Sequence, residues 1–173
     1  MTFLVCPLSK VMPLVATRAP ERIVSLLDPG FAFPETGPSY QGRHLRLQFH
    51  DVHVPSADQV APTAKHIEKL LVFLSQWNRS APMLFHCRAG IGRSPAIAII
   101  AGCLHNPDTD ERVIVEALRQ ASSIARPNET LIALADRAMH RKGRISAAVR
   151  ETGRGLTWTP VSENVPFEMP ASF

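Results

Sequence analysis

The sequence predicts a single α/β domain with a mostly parallel central sheet of four or five strands flanked by helices. Three observations carry that expectation. Short apolar runs bounded by turn formers, "FLVC" at 3–6, "RIVSLL" at 22–27 and "MLF" at 83–85, have the length and composition of buried strands. Segments with helical spacing of apolar residues lie between and after them. The chain of 173 residues, 45% hydrophobic and 20% charged, has ordinary globular usage and the length of one domain.

"FLVC", a short helical segment containing Pro13, and "RIVSLL" read as a β-α-β opening. Residues 28–43, with three prolines and three glycines, read as a long surface loop. "HLRLQF" (44–49) alternates polar and apolar residues as a strand does. Pro62 suits the first turn of a helix that presents Ile67, Leu70, Leu71, Leu74 and Trp77 on one face. After the strand at 83–85 come a glycine-containing loop and an apolar helix over about 93–104. Residues 108–124 are amphipathic through Ile114, Ala117, Leu118, Ala121 and Ile124. Residues 129–143 are so through Leu131, Leu134, Ala135 and Ala138, with Gly143 as the C-terminal cap and "RAMHRKGR" (137–144) as a solvated basic helix end. Residues 1–152 read as the domain and 153–173, which carry Trp158, Phe167 and Phe173 without periodicity, as a tail packed on it.

Lys and Arg exceed Asp and Glu by 19 to 15, a net charge of +4. That excess is too small to announce nucleic acid and fits a small anionic substrate. Three widely spaced cysteines, Cys6, Cys87 and Cys103, exclude a disulfide framework and a CxxC metal cluster, and favour a reducing, cytoplasmic setting. The apolar start is broken by Lys10 and two prolines and does not read as a signal peptide. The apolar run 95–104 is short of the roughly 20 residues needed to span a bilayer, so no membrane partner is expected.

The stretch "HCRAGIGRS" (86–94) falls between a strand and a helix, at the carboxyl end of a strand where open α/β sheets place ligands. A phosphate dianion needs several converging donors. Backbone N–H groups from Arg88, Ala89, Gly90, Ile91 and Gly92, with the positive end of the following helix, supply them. Gly90 and Gly92 let the backbone approach closely. Arg93 adds a bidentate fork to two phosphate oxygens. The same field favours the thiolate of Cys87, making it a nucleophile. Ser94 is placed to donate to that sulfur, and His86 to support the loop through its backbone. The other cysteines lack the arginine, since Met12 and Thr109 stand six residues after Cys6 and Cys103. Cys103 reads as a packed apolar residue. Cys6 reads as a buried thiol, with a disulfide to Cys87 as the alternative.

The pattern His86, Cys87, Gly90, Arg93, Ser94 resembles the H-C-x-x-G-x-x-R-[ST] signature of the cysteine-based protein tyrosine phosphatase superfamily. The layout over about 3–150 is similar to its compact dual-specificity branch, closest to small bacterial tyrosine phosphatase-like proteins. The resemblance implies a two-step reaction without metal or cofactor, in which Cys87 forms a phosphocysteine that water hydrolyses. It also implies an aspartate as general acid upstream of the cysteine. Asp51, in "FHDVHVPSAD", matches that context best, with Asp58 the alternative acid. "ARPNETL" resembles a segment that follows the catalytic helix in relatives, which makes Arg126 and Asn128 candidates for lining the site, Asn128 equally as an N-cap. His44, His50 and His53 lack a partner set for metal and read as loop residues, with His50 and His53 able to reach substrate.

There are departures. No counterpart of the "KNRY" loop of strictly tyrosine-specific relatives exists, and Tyr40 is the only tyrosine. Ala89 and Ile91 stand where phosphoinositide phosphatases often carry lysine, which argues against inositol lipids. The expected function is a phosphomonoester hydrolase of tyrosine or dual specificity acting on a phosphorylated protein or small phosphomonoester. The alternative is a phosphate-binding module without turnover, a pseudophosphatase. A rhodanese-like sulfurtransferase is disfavoured by the intact signature, and ATP binding by the lack of a G-x-x-x-x-G-K-[ST] loop.

Overall fold

The computed structural model describes residues 1–52, 57–152 and 162–173. Four parallel strands, β1 (Thr2–Pro7), β2 (Arg22–Leu27), β3 (His44–Gln48) and β4 (Met83–Cys87), and a fifth antiparallel one, β5 (Phe167–Pro170), form one sheet in the order β3-β2-β4-β1-β5. The α/β domain with a mostly parallel sheet is therefore the observed architecture. β4 is buried at every position and lies at the centre, between β2 and β1. Near-continuous apolar runs are what strands covered on both faces require.

Helices α2 (Ala64–Ser75), α3 (Arg93–His105), α4 (Glu111–Ala121), α5 (Glu129–Ala138) and α6 (Arg144–Glu151) pack on one face around Phe3, Val5, Val24, Leu26, Met83 and Phe85. α3 is buried from Arg93 to Cys103, apolar on all sides as a central helix is. The opposite face carries Leu4, Cys6, Ile23 and Leu84 under α1 (Val11–Arg18) and Tyr40 of the long loop. Among the described residues, no helix is long and apolar enough to cross a membrane.

Local departures from expectation have local causes. Pro62 stands just outside α2, where Thr63 is the N-cap and its backbone N–H donates to His66 Nδ1 at 3.1 Å. Trp77 lies beyond α2, yet its ring is buried 5.3 Å from that of Phe3. Gly143, at φ 85°, precedes α6 instead of closing α5, which stops at Ala138. The buried carboxylate of Asp136 accepts from Gly143 N at 2.6 Å and Ser146 N at 2.9 Å, satisfying the first amides of a helix that "RAMHRKGR" did not announce. The tail's Phe167 and Met169 alternate inward on β5, a strand of four residues too short to read against its flanking prolines. Trp158 lies outside the described residues.

Candidate active site

Parallel strands deliver their carboxyl ends to one edge of the sheet, and four segments meet there. Leu8 follows β1, Asp28 follows β2, Phe49 and Asp51 follow β3, and the loop 88–92 follows β4. That last loop enters α3, whose N-terminal N–H groups point back toward Cys87.

Five successive carbonyls of the loop are each tied outward by a donor from elsewhere. Arg88 O accepts from Leu8 N at 3.1 Å, and Ala89 O from Asn164 N at 2.8 Å. Gly90 O accepts from Asn164 Nδ2 at 3.2 Å. Ile91 O accepts from Arg126 N at 2.7 Å, and Gly92 O from Asn128 N at 3.1 Å. The C=O and N–H of one trans peptide unit point in opposite directions. The amides of residues 89–93 are thereby turned inward, and Gly90 N donates to Cys87 Sγ at 3.2 Å. Ser94 Oγ donates to the same sulfur at 3.2 Å, so two donors converge on it.

Both loop glycines have a steric reason. At Gly90 (φ 72°) a Cβ would stand 2.9 Å from Pro7 N and 3.0 Å from Cys6 C, so the loop could not lie against the end of β1. At Gly92 a Cβ would collide with the carboxylate of Asp51, which hangs over this position. Asp51 Oδ1 accepts from Asn128 Nδ2 at 2.7 Å, and its Oδ2 is 3.9 Å from Arg93 Nε. Arg93, only 3% exposed, is anchored through Nη1 on Asp28 Oδ1 at 2.9 Å and on Phe49 O at 2.7 Å. Its buried Nε has no hydrogen-bond partner among the described residues.

His86 does not reach back to the loop through its Nε2. β-strand alternation turns it to the face opposite Cys87, where its Nε2 and Ser25 Oγ form a buried hydrogen bond. Ser25 Oγ also pairs with His44 Nε2 at 2.6 Å, and His44 Nδ1 with Thr36 Oγ1 at 3.0 Å. His44 is thus the first residue of β3 and part of a polar chain beneath the site, not a loop histidine. Burial pushes both His86 and His44 down to about 4, so both rings are neutral at pH 7. His50 Nδ1 accepts from Val60 N at 2.9 Å, closing the base of the 50–60 loop. His53 lies outside the described residues.

Cys87, Arg93, Ser94, Asp51 and Asn128 converge in this arrangement, and Arg126 joins it through its backbone N–H. Asp58 is exposed, in the turn that follows the 53–56 stretch. Cys6 pairs in register with His86, packs with Leu4, Val11 and Ile23, and is a free thiol pushed up to about 12, chiefly by burial and further by the charges of Cys87 and Glu163. Arg88 is exposed, its guanidinium 5.0 Å from the ring of Phe31. Sequence reasoning missed Asp28, Ser25 and Asn164. Asp28 had a signal, since it directly follows a strand at the ligand-bearing edge; Asn164, 74 residues from the carbonyl its side chain holds, had none.

The sheet, the loop 88–92 and α3 have the fold of compact dual-specificity phosphatases, as the solved structures below show. Residues 32–106, from the long loop through α3, match a family described as a polymorphic toxin system DSP-PTPase phosphatase (Tc-R-P). The fold is similar to that of human DUSP28, with a TM-score of 0.60 and 13% identity over 82% of this chain and 99% of that one. It is similar to the human tyrosine phosphatase-like serine/threonine/tyrosine-interacting protein, with a TM-score of 0.59 and 17% identity over 80% and 91%. It also resembles the Cydia pomonella PTP-2 phosphatase, with a TM-score of 0.55 and 17% identity over 96% and 92%. No curated protein matches the sequence.

Proposed function

We propose that the chain hydrolyses phosphomonoesters as a cysteine-dependent protein tyrosine phosphatase, acting through a phosphocysteine on Cys87. The observation that carries this reading is the buried Arg93, whose Nη1 is fully engaged while Nε, 3.9 Å from Asp51 Oδ2, lacks a hydrogen-bond partner among the described residues. A phosphate oxygen supplies the missing acceptor.

In the first step Cys87 Sγ attacks phosphorus, an S–P bond forms and the ester P–O bond breaks. Asp51 gives its proton to the departing oxygen, and Arg93 with the loop amides carries the charge on the equatorial oxygens. In the second step water attacks the phosphocysteine, Asp51 takes the water's proton, and the S–P bond breaks to release inorganic phosphate. Ser94, 3.2 Å from the sulfur, stabilises the leaving thiolate. Asn128 supports the choice of Asp51 over Asp58, because it fixes the Asp51 carboxylate at 2.7 Å, 3.9 Å from Arg93 Nε.

The substrate is a phosphorylated protein or a small phosphomonoester. Phe31, 37% exposed beside Arg88, supports an aromatic ester such as phosphotyrosine, and apolar Ala89 and Ile91 count against an inositol lipid. Three free thiols suit a reducing compartment such as the cytoplasm. A binding-only module has less support, because Cys87, Arg93 and Asp51, the candidates for nucleophile, clamp and acid, lie together.

The test is turnover of p-nitrophenyl phosphate by the wild type and by Cys87→Ser, with rapid acid quench to trap phosphate on the chain. Loss of turnover in Cys87→Ser and a trapped phosphate on wild-type Cys87 are expected. Turnover surviving in Cys87→Ser would sink the assignment.

A further inference from the structure

The two peptide units that flank Gly90, at φ 72°, are free to flip, because glycine tolerates either sign of φ. A flip of either would present a carbonyl, instead of an N–H, to the anion. Both of their carbonyls end on one residue: Asn164 N donates to Ala89 O at 2.8 Å and Asn164 Nδ2 to Gly90 O at 3.2 Å. Nδ2 also donates to Ser122 Oγ at 2.9 Å, and the residue is 3% exposed.

Asn164 is itself held on both sides. Ser9 Oγ donates to the carboxylate of Glu163 at 2.9 Å, and three residues beyond Asn164 the chain enters β5, where Phe167 pairs with Val5 of β1. A segment in the last dozen residues is thus fixed to the strand whose end abuts Gly90.

We propose that Asn164 is a positioning residue for the phosphate cradle, holding both peptide units that flank Gly90 with their N–H groups turned toward the bound anion. This rests on the phosphatase reading for its catalytic consequence, but its first effect is on oxyanion affinity. Asn164→Asp retains the backbone donor and the side-chain shape while facing Gly90 O with an acceptor; Asn164→Ala removes the side-chain donor altogether.

The test uses the full chain, with inorganic phosphate as the probe in isothermal titration and p-nitrophenyl phosphate for turnover. Both variants should bind phosphate about tenfold more weakly and lose kcat/KM by a similar factor. A variant with native far-ultraviolet circular dichroism that binds phosphate within twofold of wild type overturns the proposal, even if its thermal midpoint has fallen. Should neither variant fold, nuclear magnetic resonance of the wild type decides: the Asn164 side-chain amide must shift with the 89–93 amides as phosphate is added. An unmoved Asn164 signal overturns the proposal. Phosphate binding by a wild type that shows no turnover would defeat the phosphatase reading alone, and a wild type that binds no phosphate defeats both.

Discussion

Asn128 Nδ2 donates to Asp51 Oδ1 at 2.7 Å, joining two loops that are 77 residues apart in the chain. The same side chain donates to Val52 O at 3.1 Å and accepts from Leu131 N at 2.9 Å, while its backbone N–H holds Gly92 O. One residue therefore caps α5, pins Asp51 and Val52 and turns the Gly92 carbonyl outward. Asn128→Ala should lose about 1 kcal/mol as a cap and also release Asp51. Turnover of alkyl phosphates should then fall about tenfold, with a smaller loss for p-nitrophenyl phosphate. Equal losses across leaving groups would assign Asn128 to stability alone.

Asp51→Asn should slow hydrolysis by roughly a hundredfold for esters of poorly acidic alcohols, and least for nitrophenol, which departs without a proton. Asp58→Asn should stay within about twofold of wild type for both, because among the described residues it is Asp51 that contacts Asn128 and Arg93. A series of phenyl phosphates of graded leaving-group acidity checks this, and the opposite ranking would move the acid to Asp58.

Asp28 holds the Arg93 guanidinium at 2.9 Å, and Phe49 O takes the same Nη1. Asp28→Asn retains a polar partner but removes the charge, so the fork should lose orientation. KM for p-nitrophenyl phosphate is expected to rise about tenfold, from the lost charge-assisted bond, with kcat less affected. A change confined to kcat would contradict an anchoring role.

The neutral pair His86 and His44 makes the fold acid-sensitive. Each has its folded value lowered by burial to about 4, below the ordinary 6.5, so the unfolded chain binds more protons between those limits. Stability therefore rises with pH through that window and is lost as pH falls from 6.5 toward 4, by about 3 kcal/mol for the fully buried His86. Urea unfolding at pH 7, 5.5 and 4.5 measures it, and His44→Gln should flatten the slope. A pH-independent midpoint would refute the buried neutral pair.

Cys6 and Cys103 are both pushed up to about 12, chiefly by burial. Iodoacetamide on the native protein at pH 7 should leave both unmodified and label Cys87, with inorganic phosphate protecting it. Peptide mass mapping reads the sites; early labelling of Cys6 would contradict its packing against Leu4, Val11 and Ile23.

The strand-loop-helix around Cys87 was legible in the sequence, because apolar runs and helical spacing are local patterns and "HCRAGIGRS" holds Cys87, two glycines and Arg93 in one stretch. The sequence also carried the Asp51 expectation by its place after a strand. What holds these groups in place came only from the packing of distant segments. Asp28 reaches Arg93 across 65 positions, Ser25 joins His86 across 61, and Asn164 reaches Gly90 across 74. Hydrogen-bond partners of this kind have no periodicity to read. They meet because parallel strands bring separate loops to one edge of the sheet and because β5 returns the end of the chain to β1. Cys87, Arg93 and Ser94 lie together in sequence, whereas the groups that hold them and their loop are scattered through it, since turning five carbonyls outward takes donors from every side.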